Sequence, residues 1–503
     1  MKTRDGICLA IILLVAVFYL LTIRDGQPWP DDFAMYIHEA KNLAEHTPLA
    51  QTGYIYNPYN PSLGPTLYPP VFPALLIPSY LIGRVDNLRP MQFEIVIFFV
   101  ALLLVLWRTL GTQLSGPYRA TMLAIIGFSP LLWSYKDLIM SDIPFAFFLY
   151  LALAGADGLV RGFDKPGKKL WQVASLAGLV YVCYGMRIIG IVLIPALFLL
   201  ATIYWKRGGR AIAASAFLAL LPCLIQWKLI GGEATYADEL KFSLPTLVAD
   251  SFRNAFTYSW SMATFWENPY TKILRDIIFV CFSLLAAMAY FRRIRTSPRI
   301  YEIFLPLYLC VLLLYPNAAG ARYLIPIFPL YVVYGLEEAE SIRQRLKVPR
   351  VAPILVPLLS LVFLSYGLEF HHSDFGPYKE GVTDQQSRAL FSFIKSNTSD
   401  KDVFVFRRPR ALALFTDRSA SVYPLPEKEL NPCHYFQTIG ATYLIEAPVL
   451  DDPAFDEFLK GESPAKELVF RNASFGVFRV RPDDLERCAD HEASATPNPL
   501  PLR

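Results

Sequence analysis

Long apolar segments dominate this sequence and decide its fold class. A helix needs about 20 apolar residues to cross a bilayer, and eleven segments reach or approach that length. They are residues 7–23, 91–107, 119–133, 143–160, 171–185, 188–205, 211–229, 273–291, 301–316, 323–340 and 351–367. Only 18% of the residues are charged, whereas a typical soluble protein has about 25%. The sequence therefore predicts a mainly α-helical, polytopic membrane protein embedded in the lipid bilayer.

Basic residues between the apolar segments orient the predicted spans. The clusters are centred on Arg4, Arg119, Lys168, Arg210, Arg293 and Arg345. With eleven spans all six clusters fall on one side, which the positive-inside rule makes cytoplasmic. We therefore predict a cytoplasmic N-terminus and an external C-terminus. The clusters form no continuous basic patch, which argues against nucleic acid as a partner.

Residues 24–90 form the first external loop in this arrangement, and one part of it is ambiguous. Residues 69–83 are apolar but carry four prolines, which remove helix donors and kink the chain. Counting them as a twelfth span would reverse the agreement of the basic clusters. We expect a re-entrant or membrane-surface element there.

The composition changes at about residue 369, after the last predicted span. Helical spacing at 387–394 and short β-branched and aromatic runs at 403–406, 442–445 and 477–480 predict a small α/β domain over residues 369–489. The Pro-rich residues 490–503 are predicted to be a disordered tail. Cys433 and Cys488 lie in this segment, and an oxidising compartment would allow them to pair.

Two acidic sites are predicted on the external side. Asp31 and Asp32 precede helical spacing that predicts an amphipathic helix along the membrane surface, so one of them caps that helix, serves as a general base, or does both. A second acidic site, Asp137 and Asp142, precedes the span 143–160, and Asp142 is also placed to cap it.

Cations accompany these acidic sites on the same side. Arg187 interrupts a long apolar run, Arg322 precedes another, and Lys136 adjoins Asp137. A single arginine here usually snorkels to the interface. Two arginines opposite acidic sites better fit the binding of an anionic group, and we expect them, with Lys136, to bind a lipid phosphate.

The sequence requires no cofactor. Its His and Cys residues lack zinc-ligand spacing, and it contains no glycine-rich nucleotide-binding motif. The exposed acidic pair nevertheless leaves a divalent metal ion as an open alternative.

The order of these motifs resembles the GT-C glycosyltransferases, and most closely the bacterial relatives of the protein O-mannosyltransferases and the lipid A aminoarabinose transferase. The motifs are the acidic pair at 31–32, Tyr-Pro-Pro at 68–70, Ser-Asp-Ile-Pro at 141–144 and Arg-Tyr-Leu-Ile-Pro at 322–326. They place a transferase domain at residues 1–368, and residues 406–416 resemble the external domain of some of these relatives.

The resemblance implies that a sugar moves from a polyprenyl-phosphate carrier to an acceptor hydroxyl on a glycan, lipid or protein. The reaction would invert the anomeric carbon, outside the cytoplasm, at the cell inner (plasma) membrane. A phosphodiester leaves as a stable anion, so an aspartate base and cations for the phosphate suffice.

The resemblance also implies roles for individual residues. Asp31 matches the catalytic aspartate of the family and Asp32 replaces the usual glutamate, which leaves open which of the two is the base. Tyr68 stands where the aminoarabinose transferase has a lysine, so phosphate binding falls to the arginines. Tyr36, Tyr68 and Tyr323 are expected to line the pocket.

Two other functions compete with transfer. One is a polytopic transporter of a small molecule or a lipid-linked sugar, and the other is a catalytically silent relative that binds such a lipid. Transporters place ionisable residues near the bilayer midplane, often in repeated halves. Here the polar residues lie at the ends of spans and the sequence shows no repeat, which favours the enzyme.

Overall fold

The computed structural model describes residues 2–29, 31–162, 169–230, 244–315, 320–425, 432–450, 452–460 and 464–493. Most of them are helical, which confirms the mainly α prediction. The helices before the C-terminal segment are α1 (Lys2–Leu21), α2 (Asp32–Glu45), α3 (Val71–Gly83), α4 (Arg89–Arg108), α5 (Gly116–Gly127), α6 (Pro130–Tyr135), α7 (Asp142–Arg161), α8 (Lys169–Met186), α9 (Leu193–Ile203), α10 (Arg210–Ile230), α11 (Leu244–Ala263), α12 (Lys272–Thr296), α13 (Ile300–Leu314), α14 (Phe328–Arg345) and α15 (Ala352–His372).

Five of these helices are long and apolar enough to cross a membrane, within the described ranges: α4, α7, α10, α12 and α15. Shorter apolar helices include α1, α3, α8, α9 and α13. Large apolar side chains on α12 are exposed, among them Ile273 at 72% and Leu284 at 62%, as lipid-facing positions would be. The count of eleven spans stays a prediction.

Prolines divide several of the predicted segments. The segment 119–133 breaks after Gly127, and α6 restarts with Pro130 as its first residue. The segment 323–340 begins with a 3₁₀ turn, and α14 starts only at Phe328, just before Pro329. Proline suits the first turn of a helix and disfavours helical geometry in the residue before it.

Residues 71–83 form one short helix, α3, which contains Pro78. Thirteen residues extend about 20 Å, less than the hydrocarbon core of about 30 Å. This length fits the predicted re-entrant or surface element. The helix packs mainly against α2 and α4.

Two ion pairs at helix ends involve residues of the predicted basic clusters. Arg299 pairs with Asp157 at 2.9 Å, which joins the start of α13 to the end of α7. Arg119 lies 3.7 Å from Asp5 and joins α5 to the start of α1. The start of α7 and the C-terminal end of α8 therefore lie at the other end, together with α2.

The C-terminal segment combines helices with one mixed sheet. Its elements are α16 (Gln385–Asn397), β1 (Val403–Val405), α17 (Pro409–Thr416), β2 (Ser419–Ser421), α18 (Pro432–Thr438), β3 (Tyr443–Glu446), α19 (Pro453–Lys460), β4 (Lys466–Arg471), β5 (Gly476–Val480) and α20 (Pro482–Ala493). The strand order is β2-β1-β3-β5-β4, with β1 parallel to β2 and β3 and the other pairs antiparallel. A disulfide joins Cys433 on α18 to Cys488 on α20.

The first loop packs directly on this segment. Tyr54 pairs with Ala420 of β2, so the loop extends the edge of the sheet. Helix α2 forms where helical spacing predicts it, but it does not lie open on a membrane surface. Because α3 and α17 cover it, even Glu39 and Asn42 are buried.

Candidate active site

Asp32 begins α2 and is held by two donors. Its Oδ1 accepts a hydrogen bond of 2.6 Å from the Tyr68 hydroxyl, and its Oδ2 accepts one of 2.5 Å from Nη1 of Arg322. Its side chain is 26% exposed. Burial favours the neutral acid, but the charges of Arg322 and Arg410 and these hydrogen bonds outweigh it and hold the pKa of Asp32 below its usual range. Asp32 is therefore an accessible, ionised carboxylate.

Asp142 begins α7 and binds both predicted phosphate-binding arginines. Arg187 donates through Nη1 to its Oδ1, and Arg322 donates through Nε to both carboxylate oxygens at 3.0 and 2.9 Å. The Asp142 side chain is only 2% exposed. Arg322 thus bridges Asp142 and Asp32, and it brings together residues that are far apart in the sequence.

Asp31 does not cap its own helix, which corrects that alternative from the sequence. It occupies the position before α2 without a capping hydrogen bond. Its two oxygens instead accept the backbone N–H groups of Arg410, at 3.3 Å, and Ala411, at 3.1 Å, in the first turn of α17. Burial raises the pKa of Asp31 to about 6, against the lowering effect of Arg410 and these hydrogen bonds.

Arg410 is part of this site although the sequence did not single it out. It is 2% exposed and donates to the Tyr68 hydroxyl at 2.6 Å and to the Pro65 carbonyl at 2.7 Å. Its Nη1 lies 3.7 Å from Oδ1 of Asp32. Its guanidinium also lies over the ring of Tyr54. Through Tyr68, a residue of the C-terminal segment thus supports the carboxylate of Asp32.

The three tyrosines expected to line the pocket lie around this network. The Tyr36 hydroxyl is 2.9 Å from Oγ of Ser141, and its ring centroid lies 4.9 Å from that of Tyr68. The ring of Tyr323 lies 5.1 Å from the guanidinium carbon of Arg187, a cation–π distance. The structure brings all three next to the acidic and basic residues.

Asp137 and Lys136 form a separate cluster, contrary to the single second acidic site expected from the sequence. Asp137 pairs with Arg24 and with Lys136, both at 2.7 Å, and accepts a 3.2 Å hydrogen bond from Tyr378. The Lys136 and Asp137 side chains are both fully buried. Burial lowers the pKa of Lys136 to about 8. The cluster joins residues following α1 and α15 to the loop before α7, which indicates a structural role.

The carboxylates of the site are already paired with arginines. In the described part of the chain, no three His, Cys, Asp or Glu side chains lie close enough together to hold a metal ion. Arg322 and Arg187 already neutralise Asp32 and Asp142. A metal ion bound there would have to displace a guanidinium group from its carboxylate.

A cavity of about 220 Å³ lies elsewhere, between residues that include Asp157, Tyr204 and Arg299. Asp157 follows Asp142 by fifteen residues of α7, or about 20 Å along the helix axis. This cavity is therefore not part of the candidate active site.

Solved structures of other proteins share the fold. No protein-family model matches this chain, and no curated protein matches it by sequence. The oligosaccharyltransferase of Archaeoglobus fulgidus, crystallised with zinc and sulfate, superposes with a TM-score of 0.58 at 11% identity, over 88% of this chain and 68% of its own.

Two further structures are similar. ArnT from Cupriavidus metallidurans, a lipid A aminoarabinose transferase bound to undecaprenyl phosphate, has a TM-score of 0.54 at 10% identity, over 95% of this chain and 98% of its own. The mycobacterial arabinofuranosyltransferase AftD has a TM-score of 0.50 at 14% identity, over 96% of this chain and 42% of its own. At these identities the similarity establishes the fold alone.

Proposed function

We propose that this chain, which has the fold of the GT-C membrane glycosyltransferases, moves one sugar from a polyprenyl-phosphate carrier to an acceptor hydroxyl. One observation carries the proposal: the partly exposed carboxylate of Asp32 lies beside Arg322, which also binds Asp142 together with Arg187. A base next to two cations is the set of groups that this transfer needs.

Arg187 and Arg322 are our candidates for binding the phosphate of the donor. Their side chains are 14% and 19% exposed, so a ligand can reach them. Structures similar in fold contain a dolichol-phosphate or undecaprenyl phosphate. An arginine that binds a carboxylate can readily bind a phosphate instead, because both groups accept two hydrogen bonds from its guanidinium. We expect the phosphate to draw Arg322 from Asp32 and so to release one oxygen of that carboxylate.

Asp32 then serves as the general base. It takes the proton of the acceptor hydroxyl while that oxygen attacks the anomeric carbon from the face opposite the phosphate. The bond between the anomeric carbon and the phosphate oxygen breaks, and its electron pair leaves with the polyprenyl phosphate, whose charge the arginines stabilise. The anomeric configuration is inverted, and Asp32 later releases its proton to water.

Asp32 is more accessible to a substrate than Asp31, although Asp31 is the residue that matches the catalytic aspartate of the family. Asp31 is 5% exposed, and both its oxygens already accept backbone hydrogen bonds from α17. We therefore assign Asp31 to positioning: it holds the C-terminal segment, and with it Arg410, against the site.

The proposed reaction needs no metal ion, because the arginines supply the positive charge at the leaving group. It takes place at the end of the molecule away from the basic clusters, which the positive-inside rule makes external. The disulfide between Cys433 and Cys488 supports an oxidising compartment for the C-terminal segment. These features favour an inner (plasma) membrane location with a cytoplasmic N-terminus and a periplasmic or extracellular C-terminal domain.

Reconstitution with matched aspartate variants tests this assignment. The full chain in nanodiscs would receive undecaprenyl-phosphate sugars and a cell-envelope extract, and the release of undecaprenyl phosphate would be measured. We expect Asp32→Asn to abolish transfer. Asp31→Asn should reduce transfer without abolishing it, since Asp31 acts through α17. Asp86→Asn, which changes an exposed aspartate on the loop between α3 and α4, should leave transfer unchanged.

The same assay separates the competing functions. A transporter would move the lipid-linked sugar across a vesicle membrane without cleaving it, and a silent relative would bind it without releasing undecaprenyl phosphate. Mass spectrometry of surface glycans and glycolipids, from cells with and without the protein, would then identify the sugar and the acceptor.

A further inference from the structure

Three arginine side chains of one short segment contain buried donors for which the described residues provide no acceptor. The Nε–H groups of Arg407, Arg408 and Arg410 are inaccessible to solvent and have no hydrogen-bond partner within the described ranges. The segment precedes and begins α17, whose first residue is Pro409. Buried donors are nearly always paired in native proteins. Within the described residues, the protein itself therefore leaves these three donors available to an acceptor from outside, such as water or a ligand.

Arg408 is the member of this group whose charge has the fewest partners. Arg410 donates to Tyr68 and to a carbonyl, and Arg407 lies 3.7 Å from Asp452. In the part of the chain that the structure describes, no ion pair or side-chain hydrogen bond involves the guanidinium of Arg408. Its strongest electrostatic neighbours are Asp31, which attracts it, and Arg407, which repels it.

Asp31 does not neutralise Arg408 by direct pairing. Both oxygens of Asp31 accept backbone N–H groups of α17, and its interaction with Arg408 is through space. Asp32 also acts on Arg408 electrostatically. Arg408 lies two residues before Arg410, whose backbone N–H binds Asp31 and whose Nη1 lies 3.7 Å from Oδ1 of Asp32, so its segment adjoins the proposed base.

The chemistry of Arg408 favours an anion as the ligand. A guanidinium group is permanently charged, offers only donors, and pairs with the two oxygens of a carboxylate or phosphate. Arg187 and Arg322 occupy another part of the site, around Asp142, where the donor phosphate is expected. An anion at Arg408 would therefore belong to the other substrate.

We propose that Arg408, supported by Arg407, binds a carboxylate or phosphate group of the acceptor, so that the enzyme glycosylates an anionic glycan or lipid. This inference rests on the proposed transfer to an acceptor hydroxyl. It adds a substrate class, because the accepting hydroxyl must lie on a molecule that carries negative charge within reach of Arg408.

Binding of small sugars to the full chain in nanodiscs tests the proposal without a known acceptor. The probes are methyl β-glucuronide, which carries a carboxylate, glucose 6-phosphate, and the neutral methyl β-glucoside. We expect at least one charged sugar to bind about tenfold or more tightly than the neutral one, as one charge-assisted interaction provides. The comparison between the two charged sugars distinguishes carboxylate from phosphate.

Variants then assign the preference to one residue. Arg408→Gln should remove the preference for charge, and Arg408→Lys should retain part of it. Arg388→Gln, which changes an exposed arginine on α16, should retain all of it. Undecaprenyl phosphate should bind Arg408→Gln as it binds the wild type, which also shows that the variant is folded.

Three results would overturn the inference: no preference for charge in the wild type, an unchanged preference in Arg408→Gln, or a loss of undecaprenyl phosphate binding in that variant equal to its loss of charged sugar. Failure of the proposed function looks different. A protein that prefers charged sugars through Arg408 but transfers no sugar would support the anion-binding site and contradict the proposed transferase activity.

Discussion

Replacing Arg322 with glutamine removes the side chain that connects the two halves of the candidate site. The guanidinium donates to Asp32 at 2.5 Å and to both oxygens of Asp142 at 3.0 and 2.9 Å. In the donor complex we expect at least one of these bonds to be exchanged for a bond to phosphate. A hydrogen bond to a charged group contributes about 1.5–3 kcal/mol. The variant should therefore bind undecaprenyl phosphate about 10- to 150-fold more weakly.

The substitution should also change how transfer depends on pH. Arg322 is the charge that most strongly lowers the pKa of Asp32, and burial acts in the opposite direction. Without Arg322 the pKa of Asp32 rises, so a larger fraction of the base is protonated as the pH falls. As the pH is lowered, the residual transfer of Arg322→Gln should therefore begin to fall at a higher pH than that of Arg322→Lys. The lysine keeps the positive charge but cannot donate two parallel hydrogen bonds as a guanidinium does.

Equilibrium binding of undecaprenyl phosphate and initial rates over a pH series measure both effects. Arg89→Gln is a suitable control because Arg89 forms an exposed pair with Asp25, at 3.3 Å on the same end of the molecule. Such exposed pairs contribute about 1 kcal/mol or less. A folded Arg322→Gln protein with wild-type affinity for undecaprenyl phosphate would refute the assignment of Arg322 to the donor phosphate.

Three further predictions concern Asp31, metal ions and the disulfide. Because burial raises the pKa of Asp31 to about 6, the folded state binds the proton of Asp31 more tightly than the unfolded state, and the stability that this gives is lost as the pH rises through that value; the melting temperature of the wild type should fall more between about pH 5 and about pH 7 than that of Asp31→Asn, and an equal fall in both proteins would contradict this. EDTA should leave the initial rate of transfer unchanged, and a loss restored by a divalent ion would show that a metal takes part. Cys433→Ser should destabilise the C-terminal segment by about 4 kcal/mol at most, from the loop entropy of a crosslink that spans 55 residues. Differential scanning calorimetry with and without reductant measures that loss, and an unchanged transition would contradict it.

The sequence predicted features that depend on local pattern. Apolar runs locate the long helices α4, α7, α10 and α12, because a helix in lipid must be apolar over its length. Short β-branched and aromatic runs locate β1, β3 and β5. They miss β2 (Ser419–Ser421) and β4, which contains three charged residues, since these strands form by pairing with neighbours and lack a strong pattern of their own.

The order of motifs in the sequence also predicted part of the site. Asp32, Asp142, Arg187 and Arg322 were all predicted to lie at one end of the helices, and the structure connects them in one network. Sequence position could not separate Asp137 from that network. Arg24, which is distant in the sequence, forms an ion pair with Asp137, and such a tertiary pairing leaves no local signal.

The arginines of the C-terminal segment needed the structure. Residues 407–410 contain three arginines around one proline, and this basic run is the sequence feature that pointed to them. A basic run more often forms a solvated surface than a site. Burial of Arg410 and the unpaired Nε–H of Arg408 depend on the contact of α17 with α2, which pattern alone does not predict.

The most direct test of the central claim is the consumption of a polyprenyl-phosphate sugar by the purified full chain. Donors carrying mannose, glucose, an aminopentose, arabinofuranose or a uronic acid would each be incubated with an envelope extract, and released undecaprenyl phosphate would be quantified for the wild type and Asp32→Asn. The wild type should consume at least one donor, with one sugar transferred for each carrier released, and Asp32→Asn should consume none. Folded wild-type protein that consumes no donor, or an Asp32→Asn variant with wild-type turnover, would contradict that claim.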